Sequence, residues 1–318
     1  MDRRNFLKMS GAASVALMAP GAAFAKWRPR RPISLVVPFP AGGGTDTFGR
    51  AVANGLQERL GVPVNVVNKP GGGGVNGAVE VSGARPDGQT WLLTTGGALV
   101  MASLFKDIPI NPFEDLQATG QVGSLTAAVV VPADSPYETL EQLADAAKVQ
   151  PGTLRWAHTG RGVFLHVAGQ SFLDANQIAA TDVPFKGGAK VRAAVIGAQV
   201  DFAIIGIHQA IGFENEMRVL GLIAPERNEI QSEVPTVAEL GFAYEYVNTP
   251  ITVHAPVGVD PEVREAMSAA LAETVASPDY AETLRAQGLL PDYLDGPAAV
   301  ARLRELETAV RPVIEAIK

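Results

Sequence analysis

The residues with the most chemical potential lie in glycine-rich turns. Phe39-Pro40-Ala41-Gly42-Gly43-Gly44-Thr45-Asp46 follows an apolar run and precedes a helical one. Glycine lets the backbone approach a ligand with no Cβ in the way. The N–H groups that open a helix point outward, and the helix dipole adds partial positive charge there. Such a turn can receive an anion, or it can be a plain strand-to-helix connection. A second turn, His158-Thr159-Gly160-Arg161-Gly162, gathers imidazole, hydroxyl and guanidinium groups, and Lys186-Gly187-Gly188 forms a third.

Catalytic patterns are sparse. There is no G-x-S-x-G elbow and no H-E-x-x-H. Of the four histidines, His158 and His166 stand eight apart across a loop–helix junction, with no carboxylate partner close in sequence. Satisfied structural histidines explain them better than metal or triad duty. Gly72-Gly73-Gly74-Val75-Asn76-Gly77 matches G-x-G-x-x-G, but the region where the ribose-binding acid belongs reads Gly96-Gly97-Ala98. No phosphate-binding G-x-x-x-x-G-K-[ST] occurs. The absence of cysteine excludes disulfides, thiolate metal sites, iron–sulfur clusters and a cysteine nucleophile. No cofactor and no metal are expected.

These turns need a scaffold, and 318 residues are enough for about two domains. With 47% hydrophobic residues, 33 glycines and 23 prolines, the composition fits a compact α/β protein. A net charge of −7 with no basic stripe argues against nucleic acid. No uninterrupted apolar stretch is long enough to span a membrane.

Residues 1–25 read as an export signal. Arg3, Arg4 and Lys8 precede a weakly apolar run from Met9 to Ala23, and Ala23-Phe24-Ala25 offers a small-residue cleavage site. Asp2 to Lys8 resembles a twin-arginine signal, with an ordinary secretory signal as the other reading. The segment carries +2, which leaves −9 on the following 293 residues. An acidic, cysteine-free exported chain without an anchor fits the periplasm.

Beyond the signal, Ile33–Phe39 reads as a strand, and Phe48, Val52, Leu56 and Leu60 mark one face of a helix. Thr45 or Asp46 is its expected N-cap and Gly61 its stop. The grammar repeats with a strand at 62–67, a glycine turn, a helix through Ala84 and a strand at 90–94. Strands are expected again at 127–131, 154–157, 200–205 and 219–223. Helices are expected at 140–147, 163–173 and up to Ile196, followed by a mostly helical last third. Strand–turn–helix alternation builds mainly parallel sheets covered by helices.

Several blocks resemble the solute receptors of tripartite tricarboxylate transporters, the Bug or TctC-like family. Val37-Pro38-Phe39-Pro40-Ala41-Gly42-Gly43-Gly44-Thr45-Asp46, with Gly49-Arg50, is similar to its first signature. Asn68-Lys69-Pro70-Gly71 and Arg85-Pro86-Asp87-Gly88-Gln89-Thr90 resemble the next two blocks. Val183 to Gly188, Gly197 to Asp201 and Val234 to Glu239 resemble later ones.

The resemblance implies a type II periplasmic-binding-protein fold, with two lobes of mixed, mainly parallel sheet joined by two crossover strands. Lobe I would comprise 26–126 and 249–318, and lobe II 127–248. It implies capture of a small organic carboxylate, a di- or tricarboxylate, in an inter-lobe cleft for a membrane permease. The partners implied are that ligand and the permease subunits, with the chain itself a monomer. Carried over from the family, Ala41, Gly42 and Gly43 would bind one carboxylate through backbone amides, beside Phe39 as an apolar wall. Asp46 would orient the turn or cap its helix. Thr95 would line the same lobe, and His158, Thr159, Gly160, Arg161 and Gly162, with Lys186, Gly187 and Gly188, would face it from the other.

Arg161 stands where relatives carry small or polar residues. It either pairs with a second ligand carboxylate or lies on a solvent-facing rim. Ile204-Ile205-Gly206, where relatives are often acidic or polar, disfavours a ligand with an ammonium group. Two other functions stay open: an exported hydrolase or isomerase using His158 or His166 as base, and a solute sensor docking on a signalling partner.

Overall fold

The computed structural model describes residues 27–245, 247 and 249–318. The expected signal over residues 1–25 lies outside them. Two mixed sheets carry the fold. The first contains β1 (Ile33–Val37), β2 (Val64–Asn68), β3 (Thr90–Thr95), β4 (Leu116–Ser124), β10 (Pro250–Pro256) and β11 (Leu290–Asp295), in the order β11-β4-β10-β3-β1-β2. The second contains β5 (Ala127–Pro132), β6 (Arg155–His158), β7 (Thr181–Pro184), β8 (Phe202–Gly206) and β9 (Met217–Ile223), in the order β7-β6-β8-β5-β9.

Strands β1, β2 and β3 run parallel, as do β6, β7 and β8. Strand β10 runs against β3 and β4, and β5 runs against β8 and β9. In each sheet most strands therefore share one direction; β5 and β10, which run against their neighbours inside the sheets, belong to the chain crossings, and β11 runs against β4 at the edge of the first sheet. The first crossing passes from β4 to β5 through Leu125-Thr126, and the chain returns at β10. The crossings touch: the Leu125 N–H donates to the Thr249 carbonyl at 3.1 Å.

Each parallel strand feeds a helix: β1 leads to α1 (Gly44–Leu60), β2 to α2 (Val75–Ser82) and β3 to α3 (Gly96–Phe105). In the second sheet β6 leads to α5 (Phe164–Ala175) and β7 to α6 (Gly188–Ile196). Helix α4 (Leu140–Val149) precedes β6, and α7 (Pro261–Val275), α8 (Pro278–Arg285) and α9 (Gly296–Ile317) cover the chain's end. Helix α1 stops at Gly61, whose φ of 71° is left-handed and whose N–H returns to Gln57. Of the known helix endings this is the one that favours glycine.

The central strands are apolar on both faces, as strands covered by helices on both sides must be. Phe48, Val52 and Leu56 of α1 pack with Leu35, Trp91 and Val253 in the first core. Trp156, Phe172 and Phe202 anchor the second. Helix α9 joins both: it packs on α3, while Leu306, Val310 and Ile314 lie in the Trp156 core. Among the described residues no helix is long and apolar enough to cross a membrane.

Candidate ligand-binding site

The first turn is held open from behind. Gly43, not Thr45 or Asp46, takes the N-cap position of α1, and it supplies no capping side chain. The two expected caps lie two and three residues further on, inside the first turn, and both side chains are used elsewhere. The Thr45 hydroxyl meets that of Thr95 at 3.0 Å, tying α1 to the end of β3. Asp46 turns back: its Oδ2 accepts the Gly42 N–H and the Arg50 Nε–H, each at 2.9 Å, and its Oδ1 accepts Asn68 Nδ2–H at 2.9 Å. Asn68 also donates to the Phe39 carbonyl at 3.1 Å, which fixes where the turn leaves the sheet.

Asp46 is 2% exposed. Burial alone would lift its carboxyl, but the Arg50, Gly42 and Asn68 donors hold it below the ordinary range. It stays an anion that orients the turn. This use of Asp46 spends the Gly42 N–H, one of the three expected to face a ligand. Among the described residues the N–H groups of Gly43, Gly44 and Thr45 find no acceptor. Ala41 and Gly42 are exposed and Phe39 is half-buried beside them. Gly42 has φ of 81°, so this bend needs glycine.

The second turn is braced by a carboxylate from a neighbouring strand. Asp182 on β7 pairs in parallel register with Trp156, which sets it beside His158 at the end of β6. His158 Nε2 lies 3.1 Å from Asp182 Oδ2, while His158 Nδ1 accepts the Gly160 N–H at 3.2 Å. An Nδ1 acceptor places the imidazole proton on Nε2, facing Asp182. Arg161 grips the same carboxylate with two bonds, Nε to Oδ2 at 2.7 Å and Nη2 to Oδ1 at 2.9 Å. The Arg161 guanidinium, with His158, pushes the Asp182 carboxyl down to about 2.

His166, on the first turn of α5, accepts the Gly162 N–H on its Nδ1 at 3.2 Å and stacks on Trp156. Burial and the neighbouring His158 lower it to about 4, and burial lowers His158 too. Thr159 and Gly160 are half-buried, Gly162 is buried, and Arg161 is exposed over most of its side chain.

His158, His166 and Asp182 stand close enough together to suggest a metal. Their donor set argues against one. Each histidine gives its Nδ1 lone pair to a backbone N–H, so each Nε2 carries a proton and offers no lone pair. The Arg161 cation also occupies both oxygens of Asp182.

The helix starts fall into two classes. Helices α1, α2, α3, α5 and α6, all entered from parallel strands, begin with no side-chain cap. Helices α4, α7, α8 and α9 are capped by Thr139, Asp260, Ser277 and Asp295. Uncapped N–H groups are costly unless water or a ligand meets them. Here they collect at the carboxyl ends of the parallel strands, the edge where open α/β sheets bind ligands.

The two sets of turns face each other. A Cβ on Gly44 would lie 2.7 Å from His208 Nε2, one on Gly162 2.8 Å from the Phe105 ring, and one on Gly73 3.2 Å from Val163. Gly187, the N-cap of α6, approaches Pro40, and Gly188 packs on Gln209. Lys186 is exposed beside them. His208 and Asp182 were not singled out from sequence. His208 follows β8 directly, and the rule that sites gather after parallel strands points to it. Nothing local marks Asp182, 24 residues from its partner His158.

Comparisons with known proteins give this geometry a family. The tripartite tricarboxylate transporter family receptor, TctC, matches residues 48–318. BugT of Bordetella pertussis is 32% identical over 268 residues, 83% of this chain and 82% of that protein. The solved periplasmic binding protein BugD is 26% identical with a TM-score of 0.82, covering 91% of this chain and 98% of that one. MatC of Rhodopseudomonas palustris, solved with bound malate, is 25% identical with a TM-score of 0.82, covering 90% and 99%. The chain belongs to the tripartite tricarboxylate transporter receptor family, which is a family of transport receptors and not of enzymes.

Proposed function

We propose that this member of the TctC receptor family captures a small organic carboxylate, with two or three carboxyl groups, between its sheets. It would do so in the periplasm and deliver the ligand to the permease subunits of a tripartite transporter, after export directed by the 1–25 signal. The observation that carries the reading is the partition of helix caps: five uncapped helix starts converge on one crevice while four others are capped. The malate bound by MatC supports the ligand class.

In this reading one carboxylate lies against the N–H groups of Gly43 and Gly44 at the start of α1, with Thr95 and Phe39 beside it. Arg161, anchored by Asp182, turns its remaining N–H groups to the far end of the ligand. The hinge is formed by Leu125-Thr126 and the approach to Pro250, dividing lobe I (26–126 and 249–318) from lobe II (127–248).

The energetics suffice. Hydrogen bonds to a charged group contribute about 1.5–3 kcal/mol each, and a helix terminus adds about 0.3–1 kcal/mol. Four or five such bonds gross about 6–15 kcal/mol. After ordering and desolvation costs, the ~8 kcal/mol of micromolar binding is within reach. Local dipoles outweigh the screened negative charge of the whole chain.

A thermal-shift screen against mono-, di- and tricarboxylates, malate among them, tests this. A ligand at 100 times its dissociation constant stabilises by about 2.7 kcal/mol. Stabilisation by di- or tricarboxylates, recovered unchanged after incubation, is the expected result. No shift with any carboxylate would overturn it.

A further inference from the structure

A second cavity lies at the other end of the first sheet. It has a volume of about 260 Å³ and sits between β4, β10, α7 and the first turns of α9. The register separates it from the crevice. His254 on its wall pairs with Leu92, three residues before Thr95 at the crevice end of β3. At about 3.3 Å per residue that is roughly 10 Å along the strand.

Three of the residues that line it each carry a buried polar atom with no partner within the protein: Gln117 Oε1, His254 Nδ1 and Arg264 Nε. His254 is 2% exposed, and its other nitrogen meets the Thr252 hydroxyl at 2.7 Å. A buried polar group without a partner is costly, so three around one cavity need a common explanation. The remaining walls include Phe113, Leu116, Val300 and Leu303, which are apolar.

We propose that this cavity is a second ligand site, taking a small monocarboxylate with an apolar tail. The charge argument rests on Arg264, which among the described residues makes no ion pair. Burial holds His254 neutral, its pKa down at about 4, so the guanidinium is the cation in the cavity. A neutral His254 can donate from Nδ1 when the Thr252 hydroxyl donates to Nε2. The Gln117 amide supplies a further N–H once its side chain turns over. These donors match the two oxygens of a carboxylate, and the apolar walls match a short aliphatic chain. The site is independent of the crevice reading, since it uses none of the same residues.

Methyl NMR of the whole protein titrated with hexanoate, and separately with 1-hexanol, tests the proposal. Saturable shifts of the Leu116 and Leu303 methyls with hexanoate are expected, with hexanol weaker by about ten-fold or more. Arg264→Gln should weaken hexanoate by about ten-fold and leave hexanol unchanged. Val300, 37% exposed at the mouth, lets Val300→Trp plug the cavity from outside, which should abolish both responses. Unmoved Leu116 and Leu303 methyls at saturating hexanoate would overturn the site and leave a water-filled cavity. Equal binding of hexanol and hexanoate would overturn the anion recognition.

Discussion

The turns after β1 and β6 are built on one plan and end in opposite states. Each leaves a parallel strand, enters a helix without a side-chain cap and is braced by an aspartate held by an arginine. In the first, Asp46 and Arg50 stand behind the turn, and only the Gly42 N–H is spent on the brace. In the second, histidine nitrogens absorb the Gly160 and Gly162 N–H groups, and the arginine sits on the rim. The first turn therefore offers backbone dipoles and the second offers a cation. The first brace takes one amide and leaves the next three without an acceptor among the described residues, whereas in the second turn histidines take the amides and the carboxylate holds the arginine.

The contrast can be broken most strongly at Asp46. Asp46→Ala removes the acceptor of three hydrogen bonds and should cost about 2–3 kcal/mol in urea unfolding, with carboxylate affinity falling at least about ten-fold. An unchanged stability would show that the brace is ornamental. Next, Gly44→Ala places a methyl 2.7 Å from His208 Nε2 and should hold the facing turns apart. Calorimetry should find carboxylate binding weakened by about ten-fold, with little change in melting temperature of the free protein.

A pH series sharpens the comparison through the second turn. His166, His208 and His254 are each lowered from 6.5 to about 4. A group with a depressed pKa stabilises the fold above its unfolded value, so this stability is complete above 6.5 and is lost as pH falls toward 4. Melting temperature should fall across that window, and His166→Gln should flatten part of the fall. Asp182, at about 2, adds a further loss only below the ordinary carboxylate range. The smallest effect belongs to Arg161, which is 61% exposed and already bound by Asp182. Arg161→Ala should weaken a dicarboxylate by no more than about five-fold, as exposed pairs do, and spare the matching monocarboxylate. Equal losses for both would remove Arg161 from the recognition of a second carboxylate.

Much of this architecture was readable in the residues, and the exceptions share a cause. Strands β1, β3, β5 and β8 are apolar runs bounded by turns, and α1 shows its period in Phe48, Val52 and Leu56, so pattern sufficed. Helix α3, GGALVMASLF, is apolar nearly all round because it is buried, which erases the period that marks a helix. Strand β7 is four residues of TDVP, and β11 reads LPDYLD inside a helical tail; both sit at sheet edges, where apolar alternation is weak. The glycines of the first turn marked the candidate site, but two partners that brace it, Asn68 for Asp46 and Asp182 for His158, came from other strands. Asn68 and Asp182 act through sheet register, which no local window contains.

The most direct measurement follows the backbone amide resonances of Gly43, Gly44 and Thr45 while the tightest carboxylate from the screen is added. Downfield shifts of Gly43 and Gly44 that saturate in step with calorimetric binding are the predicted result. Amides that stay put while the ligand binds would contradict a carboxylate held at the start of α1.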